Sequence, residues 1–168
     1  MAQNRWVLPL VEVPHFRQDG PHDQDALAHE LCEGIQRLAT QKQLAFTVSS
    51  TAPDTFPELV SAATSPLVVF SEFCENTIYG NPAMNRAQRA HHDGIHLRLG
   101  AGFDFASELR VARQQAHEMA LITGDRLADW VYADLCSSTL HLALYGHFPT
   151  DQPRLVFSVM TTGQIVLC

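Results

Sequence analysis

Positive charge is scarce in this chain, with eleven Lys and Arg against eighteen acidic residues, for a formal charge of −7 over 168 residues. Non-specific affinity for nucleic acid comes mainly from Lys and Arg on phosphate, so this balance excludes an extensive nucleic-acid surface. Cysteine is sparse too. Cys32, Cys74, Cys136 and Cys168 lie far apart and form no CxxC pair, which argues against a zinc knuckle or a secreted disulfide framework and predicts buried, reduced thiols in a cytoplasmic protein. No apolar run is long enough to span a bilayer. Met1 to Val13 holds one Arg and a short apolar stretch broken by Pro9 and Glu12, so neither a signal peptide nor a membrane partner is expected. Internal repeats, low-complexity tracts and linker-like segments are missing as well. What remains is one expected domain over residues 1–168, 46% hydrophobic and 17% charged, able to bury roughly two thirds of its unfolded surface.

The patterning is mixed in the first half and helical in the second. Trp6 to Val13 is β-prone, Pro14, Gly20 and Pro21 break the chain, and Asp23 opens a helix to about Gln43. Leu27, Leu31, Ile35 and Leu38 form its core face. Leu44 to Val48 and Pro66 to Phe70 are short β-prone runs around the turn-rich Ser49 to Pro57, with a short helix near Phe56 to Ala63 between them. Three longer helices follow, over Pro82 to Leu99, Phe105 to Ile122 and Asp125 to Tyr145. The fold class is therefore α+β, a small β-sheet in the N-terminal half packed with a mainly helical C-terminal half. Around Thr161-Thr162-Gly163 the tail reads either as a hairpin or as a last helix.

Chemistry concentrates in the three long helices. In Arg89-Ala90-His91-His92-Asp93-Gly94-Ile95-His96, His92 and His96 are four residues apart, one turn above each other, and can offer two imidazoles to one cation. A bivalent metal needs carboxylates as well. Taking the next helix at about 100° per residue, Phe105, Leu109, Ala112, Ala116 and Met119 define an apolar face with Glu108 about 60° from Phe105, on its rim. In the last of the three, Asp134 lies within the stripe Leu127, Val131, Ser138, Leu142 and Tyr145, where an unpaired carboxylate is strongly disfavoured. Arg89 and Asn85 share the side of the first helix that carries His92 and His96. His91 and Asp93 point elsewhere on that helix, either orienting a ligand or solvated. His117, His141 and His147 lack such convergence, and His15, His22 and His29 have no matching acidic partners.

Two resemblances attach to these residues. The run Thr77-Ile78-Tyr79-Gly80-Asn81-Pro82, then Asn85, Arg89, His92-Asp93 and His96, resembles uncharacterised phage and bacterial proteins in which a helix with Arg and HD-x-x-H precedes a Gly-Glu helix. Ser107-Glu108 stands in for that Gly-Glu, and Tyr145 to Gln152 resembles the group's Gly-x-Phe-Pro-x-Asp-Gln ending. The likeness covers about residues 77–152 and departs at Asp134, where a longer Glu is expected. His92-Asp93 and Asp134 also resemble three of the metal ligands of HD-domain phosphohydrolases, with His29 as the best candidate for their upstream His.

The resulting expectation is a divalent-metal-binding protein, a metal-dependent hydrolase in which His92, His96 and Glu108 hold the metal. Zinc or iron fits these ligand types better than magnesium. Asp134 is then a further ligand or, if it does not coordinate, the expected base, and Arg89 the stabiliser of an anionic substrate or intermediate. The substrate would be a small molecule or a nucleotide. Two alternatives stay open: a non-enzymatic, phage-encoded interaction or inhibitor protein that binds a host protein, and an HD-type nucleotide phosphohydrolase.

Overall fold

A computed structural model describes residues 7–9, 23–63, 66–162 and 164–166. In chain order the elements are β1 (Val7–Pro9), α1 (Gln24–Lys42), β2 (Phe46–Ser49), α2 (Phe56–Ser61), β3 (Leu67–Phe70), α3 (Pro82–Leu99), α4 (Phe105–Thr123), α5 (Asp125–Tyr145), α6 (Gln152–Thr162) and β4 (Gln164–Val166). The class is α+β, as expected. The early strands, however, do not form one sheet. β2 and β3 pair in parallel across the crossover helix α2, with Phe46 opposite Leu67, whereas β1 pairs antiparallel with β4 at the other end of the chain. The tail is therefore a helix followed by a strand, and its partner strand comes from the start of the chain.

Local chemistry fixes the helix ends that frame the site. Asn81 accepts from the Ala83 N–H, Pro82 takes the first helical position, and Gly100 at φ 56° closes α3 in the left-handed region. Asp104 caps α4 by accepting from the Ser107 N–H and hydroxyl at 3.1 and 2.6 Å. A single residue, Gly124 at φ 85°, then separates α4 from α5.

The main core joins α1, α3, α4, α5 and α6. Leu27, Leu31, Ile35 and Leu38 of α1 are all buried, against Tyr79, Trp130 and Val156 among others. Gly34 lets α1 lie close on α4, because a Cβ there would meet Met119 Cε at 2.7 Å and Thr123 Cγ2 at 2.8 Å. A smaller apolar cluster of Ile95, Ala101 and Val111 sits apart from it, at the α3–α4 turn. Cys32, Cys74 and Cys136 are free, and Cys168 lies outside the described residues. Among the described residues no helix is long and apolar enough to cross a membrane.

The inward face of α4 differs from the apolar face read from its sequence. Its buried residues are Val111, Ala112, Gln115, Glu118 and Met119, while Phe105 is exposed. At 100° per residue this turns the face by about 80°, bringing Gln115 to its centre and Glu108 next to it. The apolar residues that were expected to anchor α4 are partly displaced by polar ones, because α3 offers polar partners across the interface.

Candidate metal centre

Where α3 faces α4, three side chains meet. The Nε2 atoms of His92 and His96 are 3.0 Å apart. Glu108, in the first turn of α4, places Oε2 3.1 Å from His92 Nε2 and Oε1 3.4 Å from His96 Nε2. Ligand atoms in a tetrahedron around a metal with bonds of about 2.1 Å are about 3.4 Å apart, so the spacing is compatible with a shared coordination sphere as well as with hydrogen bonds among the three groups. Among the described residues these are the three that could hold an ion together, with one ligand atom from each within 4.8 Å of the others.

The outer nitrogens determine what the inner ones can do. His96 Nδ1 is 2.9 Å from the Ala101 carbonyl oxygen, which can only accept, so the Nδ1 proton points there. His92 Nδ1 is 2.9 Å from Gln115 Oε1. The Gln115 amide is oriented by its own Nε2, which donates to the Gln88 carbonyl at 3.2 Å. His92 therefore also donates from Nδ1. In their neutral forms both rings turn Nε2 lone pairs toward each other and toward a carboxylate, three acceptors around one point without a donor among them.

Electrostatics follow from this crowding. Burial works against charging His92, but the hydrogen bond and charge of Glu108 outweigh it and raise the ring's affinity for a proton. Burial would raise Glu108 as well, yet its contacts with His92 and His96 hold it down at about 2. The cluster attracts positive charge. The His96 side chain is sealed, with the Phe103 ring edge-on at 4.9 Å, and Phe103 in turn meets Phe56 at 6.3 Å. The His92 and Glu108 side chains retain 18% and 15% exposure, so solvent reaches the cluster along their edge.

Asp134 and Arg89 stand outside this trio. Asp134 is buried in α5, where Oδ2 accepts from the Tyr79 hydroxyl at 2.7 Å and Oδ1 from the Ser138 hydroxyl at 3.2 Å. Burial pushes its carboxyl up to about 6 despite those bonds. The partner its position demanded is thus a pair of hydroxyls. Arg89 gives its guanidinium to main-chain carbonyls of Phe70, Glu72 and Phe73 at 3.2, 2.8 and 3.0 Å. It clamps the loop after β3, where Phe73 holds a left-handed φ of 57°. Asp93 is partly buried beside His92, and its carboxyl is raised by burial against the pull of His92 and His96.

A second polar cluster lies further along α4. Glu118 accepts from Arg98 at 2.6 Å, Lys42 at 2.7 Å, Gln114 at 2.8 Å and His91 at 2.9 Å, tying α1 and α3 to α4. Burial would raise its carboxyl, but these donors hold it at about 2. His91 is therefore a buried partner of Glu118. His29 is exposed and pairs with Glu33 one turn on, an acidic neighbour the sequence reading overlooked. His141 and His147 bond to the carbonyls of His147 and Phe148, and His117 is exposed. His15 and His22 lie outside the described residues.

Gln115, Glu118, Tyr79 and the Ala101 carbonyl were missed from sequence. For Gln115 a signal existed, since it follows Glu108 by seven residues, two turns along the same face. Comparison with known proteins returns no matching family model, no matching curated protein and no matching solved structure.

Proposed function

We propose that this chain binds one divalent metal through His92 Nε2, His96 Nε2 and Glu108, and uses it for hydrolysis. The observation that carries the reading is the set of three mutually facing acceptors whose outer nitrogens are both committed as donors elsewhere. Two imidazoles and a carboxylate with room for further ligands suit zinc or ferrous iron. A bound ion of that kind supplies the Lewis acidity that hydrolysis at neutral pH needs.

The protein's own groups then divide the remaining work. Glu108 offsets half of the ion's charge, and the sealed ring of His96 keeps one side of the site dry. Asp134, whose two oxygens already accept hydroxyls in the core, is poorly placed to take a proton from an entering water. With Arg89 held by three carbonyls, an uncharged ester or amide suits the site better than a phosphate. The exposed pairing of His29 with Glu33 likewise gives no support to an HD-type ligand set.

The test is metal-dependent turnover of a panel of activated esters, amides and phosphoesters. The expected result is ester or amide hydrolysis that is lost on chelation, returns with zinc or iron, and is absent in His92→Ala and Glu108→Gln. Preferential phosphoester turnover would reverse the substrate assignment. Metal binding without any turnover would leave a metal-braced interaction protein as the better description.

A further inference from the structure

Gln115 is a fully buried amide in the middle of α4, in a helix interface where an apolar side chain of the same length would fill the space. Burying an amide costs free energy unless its groups are bonded, so its presence calls for a use. Its two bonded halves point to two different uses. The oxygen accepts from His92 Nδ1 at 2.9 Å, and the nitrogen donates to the Gln88 carbonyl at 3.2 Å. The second bond links α4 to the main chain of α3, which is a brace. The first acts on a candidate ligand.

We infer that Gln115 is the positioning residue of the metal centre, holding His92 in the tautomer and orientation that aim its Nε2 lone pair at the ion. The inference rests on the metal reading above. Neutral imidazole places its proton on either nitrogen, and an acceptor at Nδ1 favours the tautomer that leaves Nε2 free to coordinate. Ala101 supplies that acceptor to His96 from the main chain, where no substitution removes it. His92 has no main-chain acceptor in that role and depends on the Gln115 side chain, so the centre is adjustable at this one position. Outer partners of metal-bound histidines generally control ligand basicity and ring orientation.

The two halves of the amide can be separated by substitution. Gln115→Glu keeps an acceptor for His92 and loses the donor to Gln88, whereas Gln115→Met keeps the length and loses both. Zinc affinity measured by competition with a chromophoric chelator should be retained or tightened in Gln115→Glu and weakened roughly 10- to 100-fold in Gln115→Met. That order should hold whatever the order of unfolding temperatures of the metal-free variants, since the brace and the ligand bond use different atoms. Nitrogen-15 NMR of the His92 ring without metal gives a second readout, with the Nδ1–H tautomer dominant in the wild type and depleted in Gln115→Met. Should Gln115→Met fail to fold, Gln115→Asn, which draws the oxygen back by one methylene, is expected to weaken zinc binding in its place. Wild-type zinc affinity in Gln115→Met, or a loss in Gln115→Glu as large as in Gln115→Met, overturns the inference while leaving the metal centre standing. A wild-type protein that binds no zinc overturns both.

Discussion

Two polar clusters occupy the α3–α4 interface, and they are opposites. Around Glu118, one carboxylate receives four donors, two of them the cations Lys42 and Arg98 from neighbouring elements. Its charge is answered within the protein. Around Glu108, one carboxylate meets two imidazoles whose protons are directed outward to Ala101 and Gln115. Its charge is answered within the chain only when one of those rings takes up a further proton. A buried anion that finds its cations in the chain braces helices, whereas the Glu108 cluster is the one that the proposed reading assigns to a cation from outside.

The contrast breaks most sharply on ligand substitution. His92→Ala or Glu108→Gln should weaken zinc binding by more than the roughly 100-fold upper end seen for outer partners, because each removes a ligand itself. Glu118→Gln should leave zinc binding unchanged. If isothermal titration shows the two sites equally sensitive, the clusters are not different in kind.

Stability should show the reverse. Glu118→Gln removes the anion from the hub and is expected to cost about 2 kcal/mol in denaturant unfolding, below the range for a fully buried pair because Lys42 and Arg98 are partly exposed and can turn back to water. Its pH dependence has a definite sign. The folded carboxyl is held at about 2, below its ordinary value of 4.5, so its contribution is full above about 4.5 and is lost as pH falls toward about 2. The Gln variant should lack that acid-induced loss.

Asp134 sharpens the comparison with a buried carboxyl of the opposite sign. Its folded value of about 6 lies above the ordinary 3.8, so its favourable contribution is present below about 3.8 and is lost as pH rises through about 6. Asp134→Asn, which can keep the Tyr79 and Ser138 contacts, should therefore be more stable than wild type above pH 6, by about 2 kcal/mol, with the advantage vanishing near pH 4. Urea unfolding at both pH values checks it. An advantage that is equal at both would show that Asp134 does not titrate in this range. The smallest effect belongs to Arg126, whose pair with Glu30 is about half exposed on both sides. Arg126→Ala should change stability by less than about 0.5 kcal/mol, marking the scale of a surface pair against the buried hub.

Much of this molecule was legible from its sequence where local rules dominate. Pro82, Asp104, Gly124 and Gly146 punctuate the long helices, and the element bounds follow them. The His92–His96 spacing and the early position of Glu108 brought the three candidate ligands together, because helix periodicity sets which residues share a face. What escaped notice depends on tertiary partners. The pairing of β1 with β4 joins the two ends of the described chain, and no local pattern encodes it. The face of α4 was read from apolar residues alone, so Gln115 and Glu118 were assigned no role, although their partners Gln88, His91 and Arg98 on α3 bury them. Asp134 was correctly read as needing a partner, but Tyr79 lies 55 positions away in sequence and only the fold brings it there.

The central claim is that the acceptors of His92, His96 and Glu108 await a metal. Elemental analysis of protein purified without a histidine tag, before and after dialysis against zinc or ferrous iron, tests it most directly. The account predicts one divalent ion per chain in the wild type and none in Glu108→Gln. A wild-type chain that retains no metal, or a Glu108→Gln variant that retains as much as the wild type, would contradict it.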